Sequence, residues 1–321
     1  MPKKHKLTSK QGNHFSDRII RGFSFLVVAL PFFLLPQQNS YAQRSFGEIL
    51  VPLVPVAFPS PAPLPVKTTL NSAPDLTAEG IMVVDLATGM TLYEKNPQTP
   101  LYPASTTKIM TALVALDHYQ LDEPVVITTV LGDKPVMGLR PFEKISVESL
   151  LYGALIDSAN DAAYALAEHF PTGVSGFVEK MNEKAAALHL SNTHYTNPNG
   201  FDDEKQYTTA FDLARLGSYA LTNKTINKIA STVQITVADT TFSYFHPLKN
   251  VNELLGKIPG VSGLKTGLTP GAGECLVTVV NQNEHKVLLV LLKSSDRFGE
   301  TAQLINWVFA NHDWRDVSYK N

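Results

Sequence analysis

The sequence predicts an α/β fold of the α+β kind, in which one antiparallel β-sheet formed by both ends of the domain is covered by helices, with a helical middle region. Three observations carry this. Residues 80–94 read as a hairpin, residues 105–221 repeat apolar side chains at helical spacing, and residues 275–310 hold two apolar runs around a polar turn and then a helix. Strands at both ends with helices between them place the two ends of the chain in one sheet.

In order along the chain, Gly80-Ile81-Met82-Val83-Val84-Asp85 and Thr91-Leu92-Tyr93-Glu94 form the hairpin arms, with Thr88-Gly89 in the turn. From Ser105 the period changes: Ile109, Met110, Leu113, Val114 and Leu116 share one face of a helix over 105–119, and Pro103 stands just before its start. Further helices are expected over 147–156, 160–169, 174–188 and 209–221. The closing hairpin pairs 275–280 with 286–292 around Asn281-Gln282-Asn283-Glu284, and a last helix covers 300–310.

Of the 321 residues, 44% are hydrophobic and 17% charged, which excludes a disordered or fibrous chain. With 27 Lys and Arg against 29 Asp and Glu, no broad basic surface exists to hold a phosphate backbone, so no nucleic acid partner is expected. Cys275 is the only cysteine, which excludes an intramolecular disulfide and any Cys-rich metal site.

Domain organisation is read from the N-terminus. Lys3, Lys4, Lys6, Lys10, Arg18 and Arg21 precede an uncharged apolar run over 23–35, and Ser40-Tyr41-Ala42 has the small-x-small form cut by signal peptidase. Residues 1–42 therefore read as a signal peptide and the protein as exported, with membrane contact only through this segment if it is uncleaved. Residues 43–77 carry Pro52, Pro55, Pro59, Pro61, Pro63, Pro65 and Pro74 and read as a Pro-rich linker. The folded unit is expected over 78–317.

The chemistry is concentrated in three short motifs. Ser105-Thr106-Thr107-Lys108 puts a hydroxyl and an amine on one helix face. A serine attacks only once its proton is taken, and a lysine takes it only if burial or another cation destabilises its ammonium. The spacing alone is weak, because Ser262-Gly263-Leu264-Lys265 satisfies it too. The first copy stands at a helix N-terminus, where backbone N–H groups favour developing negative charge. Ser158-Ala159-Asn160 adds a second hydroxyl and an amide between two helices, and Lys265-Thr266-Gly267 adds a cation, a hydroxyl and a glycine just before the C-terminal strands. Each alone is equally a helix cap or a strand end; the three in this order form the motif set of penicillin-binding enzymes.

On these residues the unit resembles the serine-type D-Ala-D-Ala carboxypeptidases, the low-molecular-mass penicillin-binding proteins with a β-lactamase/transpeptidase-like fold. Further matches are Leu150-Leu151-Tyr152-Gly153 before the second motif, Asn197-Pro198-Asn199-Gly200-Phe201 followed by Tyr207-Thr208-Thr209, and Ile258-Pro259-Gly260-Val261 leading into the third. The resemblance implies that Ser105 is the acylated nucleophile, Lys108 its base and Ser158 the proton relay. Asn160 would hold the peptide, Lys265 would supply positive potential and Thr266 would bind the terminal carboxylate. Gly267 would let the substrate approach, and the N–H groups of Ser105 and Leu268 would form the oxyanion hole. The implied partners are a peptidoglycan stem peptide ending in D-Ala-D-Ala and β-lactams as covalent inhibitors; no metal or organic cofactor is called for. Some relatives carry an arginine upstream of the third motif, and Val251-Asn252-Glu253-Leu254 has none. Carboxylate recognition is then expected from Thr266, Lys265 or Thr269.

Rival chemistries lack their residues. No Glu-x-x-Leu-Asn supplies the deacylating glutamate of a class A β-lactamase, no His-Glu-x-x-His suits a zinc peptidase, and no Gly-x-Ser-x-Gly elbow suits a Ser-His-Asp hydrolase. A non-catalytic wall-binding module is disfavoured by the intact nucleophile, base and relay. DD-endopeptidase action on cross-links uses the same residues and stays open.

Overall fold

A computed structural model describes residues 61–69 and 71–317. At its centre, strands β2 (Gly80–Asp85), β3 (Thr91–Lys95), β8 (Lys265–Thr269), β9 (Gly273–Gln282) and β10 (His285–Ser294) form a five-stranded antiparallel sheet. Their order across the sheet is β3-β2-β10-β9-β8. Both ends of the domain thus share one sheet, as the patterning predicted. β10 pairs with β2 through Val290↔Met82 and with β9 through Val290↔Val277.

The central strands are apolar on both faces because both faces are covered. Met82, Val277, Leu288, Val290 and Leu292 pack on the helical side, while Ile81, Val83, Leu276, Leu289 and Leu291 pack on the other. The first side meets α5 (Ala210–Ala220), which packs on α1 (Lys108–His118), and α1 in turn packs on α2 (Val147–Ile156), α3 (Asn160–Glu168) and α4 (Gly173–Ala187). The second side meets Leu304, Ile305 and Val308 of α7 (Arg297–Asn311), whose N-cap Asp296 accepts a hydrogen bond from Gly299 N.

Several elements depart from the sequence reading. The helix expected from Ser105 starts as a 3-10 turn, Ala104–Thr107, and becomes α-helical only at Lys108. Two small hairpins, β4 (Pro124–Val126) with β5 (Lys144–Ser146) and β6 (Gln234–Ala238) with β7 (Phe245–Lys249), and the helix α6 (Lys224–Ala230) were not anticipated, being too short to show a period. The Pro-rich linker over 43–77 needs correction at its C-terminal end. Leu64–Lys67 form strand β1, paired antiparallel with β11 (His312–Arg315), and Leu76 is buried in the core. Proline composition suggested a spacer, yet an edge strand tolerates a residue without an N–H, and Pro65 sits there opposite Trp314. Trp314 Nε1 donates to Asp85 Oδ1 at 3.0 Å, tying this ribbon to the first hairpin. The signal segment 1–42 and the linker up to residue 60 lie outside the described residues. No helix among the described residues is long and apolar enough to cross a membrane.

Candidate active site

The site lies where the free edge of β8 faces the turn that carries Ser105. That turn is set by backbone. Ala104 has φ +47°, Thr106 Oγ1 donates to Pro103 O at 2.6 Å, and Gly200 (φ +88°) passes so close that a Cβ on it would sit 1.9 Å from Ala104 O. Only glycine fits there. Gly267 plays the matching part on β8: a Cβ on it would lie 2.9 Å from Ala104 Cβ and 3.1 Å from Ser105 N.

Lys108 follows one turn after Ser105 and is 0% exposed. Its Nζ lies 2.9 Å from Ser105 Oγ, 2.8 Å from Asn160 Oδ1 and 2.8 Å from the Asn199 carbonyl. Burial holds it well below the usual lysine range, the Lys265 charge pushes the same way, and Asp161 opposes both. This geometry can accommodate the neutral amine that the lowered value favours. Asn160 Oδ1 and Asn199 O are acceptors only, so they take both N–H bonds of an –NH2 group and leave its lone pair for the Ser105 hydroxyl. Asn199 is held by Asn197 Oδ1, which accepts from the N–H groups of Asn199, Gly200 and Phe201, and Asn199 Nδ2 donates to Asn160 O at 2.7 Å.

Ser158 stands between α2 and α3 at φ +60°, a backbone region that a serine adopts only when its surroundings impose it. Its Oγ accepts from Lys265 Nζ at 2.9 Å, and Lys265 also donates to Thr266 O at 2.9 Å. Lys265 is pushed down to about 7, chiefly by burial and then by Arg297, with Asp157 opposing. Asn160 opens α3; its Nδ2 donates to Asp133 O at 3.0 Å. Asp161 beside it accepts from the N–H groups of Met137, Gly138 and Leu139 at 3.0–3.1 Å.

Ser105, Lys108, Ser158, Asn160, Lys265 and Gly267, singled out in the three motifs, therefore line one site. Ser105 and Lys108 are bonded, as are Ser158 and Lys265, and Asn160 joins the first pair. Thr266 is 4% exposed, while Leu268, the next residue but one, is 60% exposed on the edge strand. The hydroxyl of Thr269, the third expected contributor to carboxylate recognition, donates to Asp202 Oδ1 at 2.6 Å and accepts from Ala272 N at 3.0 Å. Two contributors escaped the sequence reading. The Asn199 carbonyl belongs to a turn noted only by resemblance, and Arg297 Nη1 donates to Gly267 O at 2.6 Å from the start of α7. Arg297 lies 32 residues beyond Lys265 in a stretch with no motif, so only the fold brings its charge to β8. Among the described residues no group of three or more His, Cys, Asp or Glu is placed to hold a metal ion.

Comparison with known proteins agrees with this geometry. The model of the D-alanyl-D-alanine carboxypeptidase family matches residues 67–296. The chain is 32% identical over 255 residues to the D-alanyl-D-alanine carboxypeptidase DacF of Bacillus subtilis, covering 76% of this chain and 65% of that protein. It is 34% identical over 252 residues to a D-alanyl-D-alanine endopeptidase of Pseudomonas aeruginosa, covering 76% and 81%. Among solved structures, the Streptomyces K15 DD-transpeptidase superposes with a TM-score of 0.71 at 33% identity, over 75% of this chain and 100% of that one. Penicillin-binding protein D2 of Listeria monocytogenes, in its ampicillin-bound form, gives 0.66 at 28% identity, over 74% and 100%. The chain belongs to the D-alanyl-D-alanine carboxypeptidase family of serine-type peptidases and has the penicillin-binding-protein fold.

Proposed function

We propose that this chain removes the terminal D-alanine from peptidoglycan stem pentapeptides through an acyl-enzyme on Ser105. The observation that carries the reading is the buried Lys108 amine 2.9 Å from Ser105 Oγ, with its other two neighbours able only to accept.

In this reading neutral Lys108 takes the Ser105 proton as Oγ attacks the carbonyl of the penultimate D-alanine. The charge that develops on the carbonyl oxygen is met by the N–H groups of Ser105 and Leu268. As the C–N bond breaks, Ser158 passes its proton to the leaving amine and regains one from the Lys108 ammonium, which returns Lys108 to the neutral amine. Water then attacks the ester, giving its proton to Lys108, which returns it to Ser105 Oγ as the ester bond breaks. Thr266 and the positive potential of Lys265 and Arg297 hold the terminal carboxylate. Asn160 orients Lys108 through Oδ1; its expected hold on the peptide requires exchanging the contact with Asp133.

β-Lactams present a strained amide beside a carboxylate and acylate the same serine. The substrate places the enzyme outside the cytoplasmic membrane, consistent with the basic and apolar segments of residues 1–42 and with a mature chain starting at Gln43, which N-terminal sequencing checks.

Incubation of the purified protein with a stem pentapeptide, followed by mass analysis, tests the reaction. Loss of one alanine supports it, cleavage confined to cross-linked peptide transfers it to endopeptidase action, and no change refutes it.

A further inference from the structure

His246 and Glu143 form a buried hydrogen-bonded pair that the reaction above leaves unused. His246 Nε2 lies 2.7 Å from Glu143 Oε1, with side-chain exposures of 5% and 0%. The pair stands on β7 and on the segment before β5, outside the three motifs. Its other contacts lead toward the catalytic base. His246 Nδ1 lies 3.1 Å from Met137 O, so His246 holds residues 137–143 at both ends, while Glu143 Oε2 accepts from Arg140 N at 2.9 Å within the segment. The same segment is gripped from α3 by Asp161, through the N–H groups of Met137, Gly138 and Leu139. Its upstream part accepts from Asn160: Pro135 O from the Asn160 N–H at 2.7 Å and Asp133 O from Nδ2 at 3.0 Å. Asn160 Oδ1 then meets Lys108 Nζ.

We propose that the His246–Glu143 pair is a positioning device for the catalytic base: it fixes segment 133–143 against α3, so that the Asn160 amide keeps one orientation and aims Lys108 at Ser105. The proton count supports a specific bond pattern. Met137 O only accepts, so Nδ1 carries a hydrogen, and one further proton lies between Nε2 and Oε1. An apolar residue at either position leaves the other polar group buried without its partner. The Asn160 amide would then rotate more freely. With its nitrogen turned toward Lys108 it would offer a donor in place of an acceptor, and the lone pair would lose its direction.

The count also identifies a substitution that keeps the network. In Glu143→Gln the side-chain NH2 donates to Nε2, the side-chain oxygen accepts from Arg140 N, and Nδ1–H still donates to Met137 O. All three bonds survive without the charge.

The inference rests on Lys108 as base, and the test separates the two. The rate of Ser105 acylation by a labelled β-lactam at saturating concentration is measured for wild type, His246→Phe, Glu143→Asp and Glu143→Gln, with melting temperatures. His246→Phe is expected to slow acylation by about tenfold or more with the half-saturating concentration little changed, since a small misplacement of a reacting group is costly. Glu143→Asp, one methylene short, should fall the same way, and Glu143→Gln should stay within about threefold of wild type because its hydrogen bonds are kept. Should His246→Phe fail to fold, Glu143→Asp against Glu143→Gln decides alone. Folded His246→Phe or Glu143→Asp acylating at the wild-type rate overturns the positioning role, as does a Glu143→Gln loss equal to that of Glu143→Asp. Failure of wild type to acylate overturns the serine mechanism instead.

Discussion

Lys265 Nζ lies 2.9 Å from Ser158 Oγ, so the two buried lysines of the site are bonded to different serines, Lys108 to Ser105 and Lys265 to Ser158. In the proposed reaction this separation gives them different tasks, Lys108 at the attacking hydroxyl and Lys265 at the hydroxyl proposed to protonate the leaving amine.

The first prediction follows from that assignment. Lys108→Arg keeps a cation but removes the base, because a guanidinium does not deprotonate in proteins. It should slow β-lactam acylation by about a thousandfold, the middle of the range that general base catalysis contributes. Lys265→Arg keeps the positive potential, and its loss should be smaller by at least about tenfold. Stopped-flow acylation of both variants checks this; equal losses would remove the distinction between the two lysines.

A second prediction concerns pH. Acylation requires neutral Lys108, so the rate should rise with pH through a midpoint well below the 10.5 of an ordinary lysine. Lys265 works as a cation, and with its value near 7 it loses charge as pH rises past that point. The kcat/KM profile should therefore fall on its alkaline side. A bound carboxylate favours the charged form of Lys265, so the same limb in kcat should lie at higher pH. The two lysines repel, so the limbs belong to the pair rather than to single residues. A kcat/KM that climbs without a maximum to about pH 10, the ordinary lysine range, would show that the Lys265 charge is dispensable.

Gly267→Ala tests how tightly β8 approaches the nucleophile. The new methyl would stand 2.9 Å from Ala104 Cβ and 3.1 Å from Ser105 N, so the strand or the 3-10 turn must shift. Overpacking of this kind costs about 1–3 kcal/mol. The larger effect is expected on acylation, by about a hundredfold, because the Leu268 N–H moves away from the oxyanion position. Melting temperature and acylation rate measured together separate the two effects.

The parts legible in the sequence were those with a long period or a fixed spacing. Helix α5 announced itself through apolar repeats, and the central strands through continuous apolar runs; the structure adds the Thr209 cap, which accepts from Asp212 N at 3.0 Å. Ser105, Lys108, Ser158, Asn160 and Lys265 were readable because each belongs to a motif of three or four consecutive residues. Arg297, the Asn199 carbonyl and the His246–Glu143 pair were not. Each acts across a distance that only the fold closes, and a backbone carbonyl leaves no mark in residue identity. Strand β1 was hidden for another reason: Pro65 signals irregular chain almost everywhere except on an edge.

Cys275 gives a chemical check on the packing. It is 0% exposed on β9 opposite Gly267, and burial pushes its thiol up to about 11. The neutral, enclosed thiol should resist a disulfide reagent in the folded protein at about pH 8 and react fully once denatured. Stoichiometric modification of the folded protein within minutes would contradict the packing of β8 on β9.

Arg297→Met provides two readouts of opposite sign from one substitution. The guanidinium donates to Gly267 O and holds the Lys265 ammonium down by like-charge repulsion. Removing it should weaken the pull on the substrate carboxylate, lowering kcat/KM for the pentapeptide by about tenfold, in line with the worth of a charge-assisted hydrogen bond. The same change removes a repulsive neighbour from Lys265, so the alkaline limb of kcat/KM should move to higher pH than in wild type. A neutral substrate analogue with an amidated C-terminus should lose little, since it offers no carboxylate. The pH profiles of both substrates with wild type and variant resolve the matter. A comparable loss on the amidated peptide would assign Arg297 to holding β8 through Gly267 rather than to recognising charge, and an unmoved alkaline limb would deny its influence on Lys265.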